Sequence, residues 1–121
     1  MATLIPLNTF KTITSNLYDT TTVLYTTPIE IATIILTAQV TNVSDDFANV
    51  TFIHRSNIDG GGGTRIITDT ELVKNFEIAK NDAASVIVGK VVLEEEQAVL
   101  AKAGANNTLK ITLSILETSL Q

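Results

Sequence analysis

The run Leu109-Lys-Ile-Thr-Leu-Ser-Ile-Leu116 near the end of the chain alternates without a break. Ile111, Leu113 and Ile115 fall on one side, and Lys110, Thr112 and Ser114 on the other. A helix turns residues two apart to nearly opposite faces, whereas a strand stacks them on one face, so this pattern demands a half-buried strand. The pattern recurs in Ala48, Val50 and Phe52 against Asn49 and Thr51. It recurs again in Ile34, Leu36, Ala38 and Val40 against Thr33, Thr37, Gln39 and Thr41, with Ile35 the exception. Val, Ile and Thr dominate these runs, and their branched side chains suit a pleated surface.

Turn signals separate the runs: Thr26-Thr-Pro28, Asn42-Val-Ser-Asp-Asp46, Lys80-Asn-Asp82 and Gly104-Ala-Asn-Asn107. Strands of five to eight residues at this spacing predict an all-β chain, an antiparallel β-sandwich of jelly-roll-like form with seven to eight strands. The 121 residues suffice for one domain, predicted over 1–121. Two segments compete with the strand reading. Thr68-Asp-Thr-Glu71 has the spacing of a helical capping box, but Leu72, Phe76 and Ile78 after it alternate. The Glu and Ala of VVLEEEQAVLAKA favour helix, but Val91-Val-Leu93 and the following hairpin favour strand, with the glutamates at an edge or turn.

Absence of cysteine removes disulfides, thiolate metal sites and cysteine nucleophiles. The start of the chain has no basic and apolar leader pattern, and IEIATIILTAQV is too short and too polar for a membrane helix, so export and membrane insertion are not expected. A net charge of -5 without a basic cluster speaks against nucleic acid and anionic membranes as partners. Only 17% of residues are charged and mean hydropathy is +0.28. That shortage of charge predicts a surface partly covered by a neighbouring protein.

Four of the six glycines stand together at Gly60–Gly63. Phosphate loops need a following helix with Lys and Ser or Thr, but Thr64-Arg65-Ile66-Ile67 is strand-like, so the glycines predict a hairpin tip. His54 is the one histidine, with no nucleophile or orienting carboxylate identified beside it, and reads as a strand residue near a sheet edge. Glu94, Glu95 and Glu96 read as a solvated charge run rather than calcium ligands or paired catalytic carboxylates. The sequons at Asn42, Asn49 and Asn106 read as chance matches in a Thr-rich chain. Tyr18 and Tyr25 are the side chains available for a sugar-stacking groove. The sequence therefore predicts no enzyme: no catalytic residue, no cofactor-binding residue and no metal ligand.

Three stretches together resemble small virion structural proteins of tailed bacteriophages, most closely those of marine and cyanobacterial phages. They are TTTVLYTTP, IATIILTAQVTNVSDDFANVTFIHR and TELVKNFEIAKNDAASVIVGKVVLEEEQAVLAKAGANNTLKITLSILE. Such proteins share a strand ending Tyr-Thr-x-Pro, an x-Val-x-Asn turn between Thr-rich strands, an LVK-(D/N)-F-x-I-x-x-NDAASV segment and a closing L-x-(I/L)-T-L-S-I-L-E. Where relatives carry EEGD or EEGQ, this chain has Glu94-Glu-Glu-Gln97. The resemblance covers about Thr9 to Glu117. It implies a non-enzymatic β-sandwich on the virion, made in the host cytoplasm. The expected role is capsid decoration as a symmetric homo-oligomer, a trimer by preference, in contact with other capsid or tail proteins. The alternatives are a neck, tail or baseplate accessory protein and a receptor- or glycan-binding module.

Overall fold

The computed structural model describes residues 8–120, so the leader expectation for the first residues and the two ends of the 1–121 domain lie outside the described residues. Nine strands follow one another: β1 (Asn8–Asn16), β2 (Thr22–Thr26), β3 (Ile31–Asn42), β4 (Ala48–Gly61), β5 (Thr64–Ile78), β6 (Ala83–Ser85), β7 (Val91–Leu93), β8 (Ala98–Ala103) and β9 (Leu109–Ser119). No helix occurs among the described residues, and both segments with helical features are extended. Thr68–Glu71 belongs to β5, and VVLEEEQAVLAKA is β7, a turn and β8.

All pairings are antiparallel. The first sheet runs β1-β9-β3, with β6 and β7 sharing the far edge of β3; the second runs β2-β8-β4-β5. Because β6 and β7 occupy one edge position in two pieces, nine strands fill eight places, the jelly-roll arrangement of two packed sheets. The short edge pieces explain why the sequence suggests seven to eight strands rather than nine. Three residues of β6 and three of β7 are too few for a period to be seen.

The inward faces meet in one core. Ile35, Val40, Val50, Phe52, Val99, Ile111, Leu113 and Ile115 are all essentially inaccessible. The strand assignments of Val50 and Phe52 and of Ile111, Leu113 and Ile115 hold as expected. β3 does not follow the expected phase. A β-bulge between Ile35 and Thr37 inserts Leu36 as an extra residue against β9. A bulge shifts the alternation by one residue, which flips the face of everything before it. The buried residues are therefore Thr33, Ile35, Ala38, Val40 and Asn42, while Ile34 and Leu36 turn outward. Ile35, the exception in the sequence pattern, is a core residue.

The β4–β5 hairpin outruns its sheet. β8 pairs with β4 only as far as Arg55, whereas β4 and β5 remain paired to Gly61 and Thr64. The outer half is a two-stranded ribbon with both edges unpaired within its sheet. Its tip uses Gly62 and Gly63 at φ of 61° and 81°, the two consecutive left-handed positions of a type I′ turn, where glycine carries no side-chain penalty.

Candidate functional site: a charge-poor sheet face, a projecting ribbon and two polar networks

The candidate chemistry does not converge. Glu94, Glu95 and Glu96 point to three different partners in the β7–β8 turn. Glu94 accepts from Gln97 Nε2 at 3.3 Å, Glu95 accepts from the Glu30 backbone N–H at 2.8 Å, and Glu96 pairs with Arg65 at 2.8 Å. No group of metal-binding side chains occurs among the described residues. His54 lies on β4, between β8 and β5, so the edge placement is corrected: its strand is interior, and the ring bonds Gln97 Oε1 at 3.2 Å. The Gly60–Gly63 segment is a hairpin tip, as expected, and no helix follows it.

The two tyrosines do not form a groove. Tyr18 is partly exposed in the β1–β2 loop, where its carbonyl accepts from Ala103 N–H at 2.7 Å. Tyr25 turns its hydroxyl between the sheets. It donates to Glu117 Oε2 at 2.5 Å and lies 2.8 Å from Thr33 Oγ1, while Lys11 reaches Glu117 Oε1 at 2.9 Å. Residues of β1, β3 and β9 thus clasp β2 of the opposite sheet. Burial, then the hydrogen bond to the carboxylate, pushes the Tyr25 hydroxyl up to about 12. Burial alone would raise the Glu117 carboxyl, but the hydrogen bonds from Tyr25 and Lys11 outweigh it and hold it below the ordinary carboxylate value.

At the opposite end, Asn42 is wholly buried and makes four side-chain hydrogen bonds. Its Nδ2 donates to the Asp46 carbonyl at 2.8 Å and the Ile78 carbonyl at 2.9 Å. Its Oδ1 accepts from Ser44 N–H at 2.9 Å and Ser44 Oγ at 2.7 Å. The amide nitrogen of this sequon is thereby committed inside the fold, which leaves no room for a glycan. The sequence marks Asn42 as part of a turn signal and of a chance sequon, and as nothing more. Its role depends on Ile78, far along the chain, and no local signal carries that.

The surface holds the informative asymmetry. Register places Phe10 opposite Leu116, Leu116 opposite Ile34, and Ile34 opposite Val92. These four form an apolar row across the outer face of the first sheet, with Phe10 73% and Val92 59% exposed. The rows beside it are Thr12, Ser114 and Thr37, then Thr14, Thr112, Gln39 and Ser85. Lys110 is the one charged side chain among the described strand positions of this face. The outer face of the second sheet is different, carrying Lys102, Glu77 and the bidentate pair Arg55–Asp69 at 2.7 and 2.9 Å. The shortage of charge noted in the sequence is thus concentrated on one side of the sandwich.

A third feature is an apolar groove of about 390 Å³ at the open side of the sandwich, between β5 and the β6–β7 edge. Leu72, Phe76, Val86, Val88 and Val91 line it, and Val88 is fully exposed.

No family model matches the chain, and no curated protein matches it in sequence. Similarity appears among solved structures. One is a structure described under "Bacillus endospore appendages form a novel family of disulfide-linked pili", at 15% identity and a TM-score of 0.53, covering 94% of this chain and 88% of that one. Another is a chain of the IBDV viral particle, at 11% identity and a TM-score of 0.54, covering 94% of this chain. This chain spans only 31% of that viral protein's length. These likenesses establish a shared sandwich fold. The disulfide linkage named for the pili has no counterpart here, because this chain lacks cysteine.

Proposed function

We propose that the protein is a non-enzymatic structural subunit of a virion, a decoration protein of a tailed-phage capsid that seats on the particle through the outer face of its first sheet. The observation that carries this reading is the nearly uncharged face itself, on which Lys110 is the one charged side chain among the described strand positions. Four strand positions about 4.8 Å apart, with strands roughly 30 Å long, give roughly 500–600 Å² of flat area. That approaches the ~800 Å² per partner of an ordinary stable interface. Threonine hydroxyls hydrate adequately but give up water without the desolvation cost of a carboxylate or an ammonium group. The apolar row Phe10–Leu116–Ile34–Val92 supplies the driving force. The resemblance to phage virion proteins and the fold shared with pilus and capsid proteins support a role in assembly.

The test uses particles produced from the genome that encodes the chain. Quantitative mass spectrometry is expected to find the chain at a copy number comparable with the shell protein, and electron microscopy to find it on the capsid. Thr112→Glu, an exposed change in the middle of the face, is expected to leave thermal stability almost unchanged and to strip the protein from particles. Particles that lack the chain would remove the virion reading. Density on the tail would move the protein to the neck, tail or baseplate. Full retention of the Thr112→Glu protein would show that another surface makes the contact.

A further inference from the structure

The ribbon and the groove have matching chemistry and cannot meet within one molecule. On one face of the ribbon Ile58 stands directly opposite Ile66, 56% and 51% exposed, flanked by Ser56 opposite Thr68. That face carries no charge. The other face holds Arg55, Asp69, Asp59 and Arg65, with Arg55 bonded to Asp69 and Arg65 bonded to Asn57 and Glu96. The groove is lined by Leu72, Phe76, Val86, Val88 and Val91, also without charge. β5 borders the groove with its proximal half and carries Ile66 in its distal half. Pairing from His54 opposite Thr70 to Asp59 opposite Arg65 is unbroken, so the ribbon cannot fold back onto its own base.

We propose that the Ile58–Ile66 face of one copy seats in the Leu72–Phe76–Val88 groove of a second copy. This rests on the assembly reading above and names the surface that joins like subunits. Knob and groove are different surfaces, so the contact is head-to-tail and generates a closed ring or a filament rather than a two-fold dimer. The ribbon is braced before docking by Arg65–Glu96 and Arg55–Asp69, which lowers the ordering cost of binding.

The size of the contact decides its strength. Ile58, Ile66, Leu72, Phe76 and Val88 together offer the equivalent of about three fully exposed large side chains. That is on the order of 300 Å² of apolar area, which places the contact below the ~1,200 Å² total of a stable pair. One contact alone is therefore transient, and the assembly holds when the ring closes or a particle surface presents several copies at once.

The native chain has no cysteine, so engineered thiols report on this contact alone. Ile66→Cys and Val88→Cys proteins are mixed at high concentration and treated with a short bifunctional thiol reagent, which relaxes the strict geometry of a direct disulfide. Both sites are exposed, and Ile58→Cys serves as a second knob variant. The expected result is a mixed one-to-one crosslink, identified by mass spectrometry, while each variant alone stays monomeric. A crosslinked dimer of Ile66→Cys alone would mean ribbon against ribbon and overturn the proposal. Absence of a mixed product with both knob variants would also overturn it. Failure here leaves the particle assay standing, and failure of the particle assay leaves this crosslink standing.

Discussion

Replacing Asn42 tests whether a single buried amide closes one end of the sandwich. Its four hydrogen bonds join the end of β3 to the following turn and to the last residue of β5. In Asn42→Ala, Ser44 and Asp46 lie near solvent and recover water bonds, so their loss costs about 1 kcal/mol together. The Ile78 carbonyl belongs to a residue only 3% exposed and is left without that donor. A stranded buried acceptor costs about 1–3 kcal/mol. The total is about 3 kcal/mol, or a melting temperature lower by about 10–15 °C for a chain of this length.

Asn42→Asp separates the hydrogen-bond argument from simple loss of volume. It keeps the acceptor for Ser44 but turns an oxygen towards the Asp46 and Ile78 carbonyls. At neutral pH a buried negative charge facing two carbonyls is expected to destabilise more than alanine does. In acid, protonation restores one donor and the gap to wild type narrows. Calorimetry at neutral and acidic pH, with Asn49→Ala as an exposed control expected within about 0.5 kcal/mol, reads both effects. A melting temperature of Asn42→Ala within about 3 °C of wild type, or an aspartate variant indifferent to pH, would refute the reasoning.

Four further outcomes follow from the same structure. The Glu117 carboxyl is held below its ordinary 4.5, so its contribution is present above that pH and is lost as pH falls through the lower folded value; Glu117→Gln should flatten the acid limb of a urea-midpoint titration. Tyr25, raised from 10.0 to about 12, works the other way: its contribution is present below pH 10 and lost as pH rises towards 12, and Tyr25→Phe should remove that alkaline limb. Glu96 sits at φ of 63°, where a non-glycine residue costs about 1–2 kcal/mol, against an exposed Arg65 pair worth about 0–1; Glu96→Gly should therefore be neutral to modestly stabilising by chemical denaturation. A chain ending near Asn106 loses β9, which lies between β1 and β3 at the centre of the first sheet, and should show no cooperative melting transition.

The Glu94-Glu-Glu-Gln97 turn has a physical reading of its own. The third position of Glu94-Glu-Glu-Gln97 requires a left-handed backbone, which glycine adopts freely. Here Glu96 adopts it and gains the Arg65 contact that braces the ribbon. The chain placed these glutamates only at an edge or a turn. The compensating partner was not legible, because Arg65 is 31 residues away.

Much of the fold could be read because alternation is a local signal: β9 and the first half of β4 show their buried faces residue by residue. What escaped were events that change phase or depend on distant partners. The bulge at Leu36 reverses the first half of β3, and nothing in IATIILTAQV distinguishes an inserted residue from an ordinary apolar run. That one event has two consequences. It turns Thr33 inward to meet Tyr25, completing the clasp with Glu117, and it turns Ile34 outward to bridge Leu116 and Val92. Had the simple alternation held, Ile34 would be core and the apolar row would be broken in the middle. The low overall charge pointed to a covered surface, but composition has no direction. Only the register shows that the uncharged positions share one sheet face, and the same bulge that closes the core between the sheets completes the surface that a neighbour would cover.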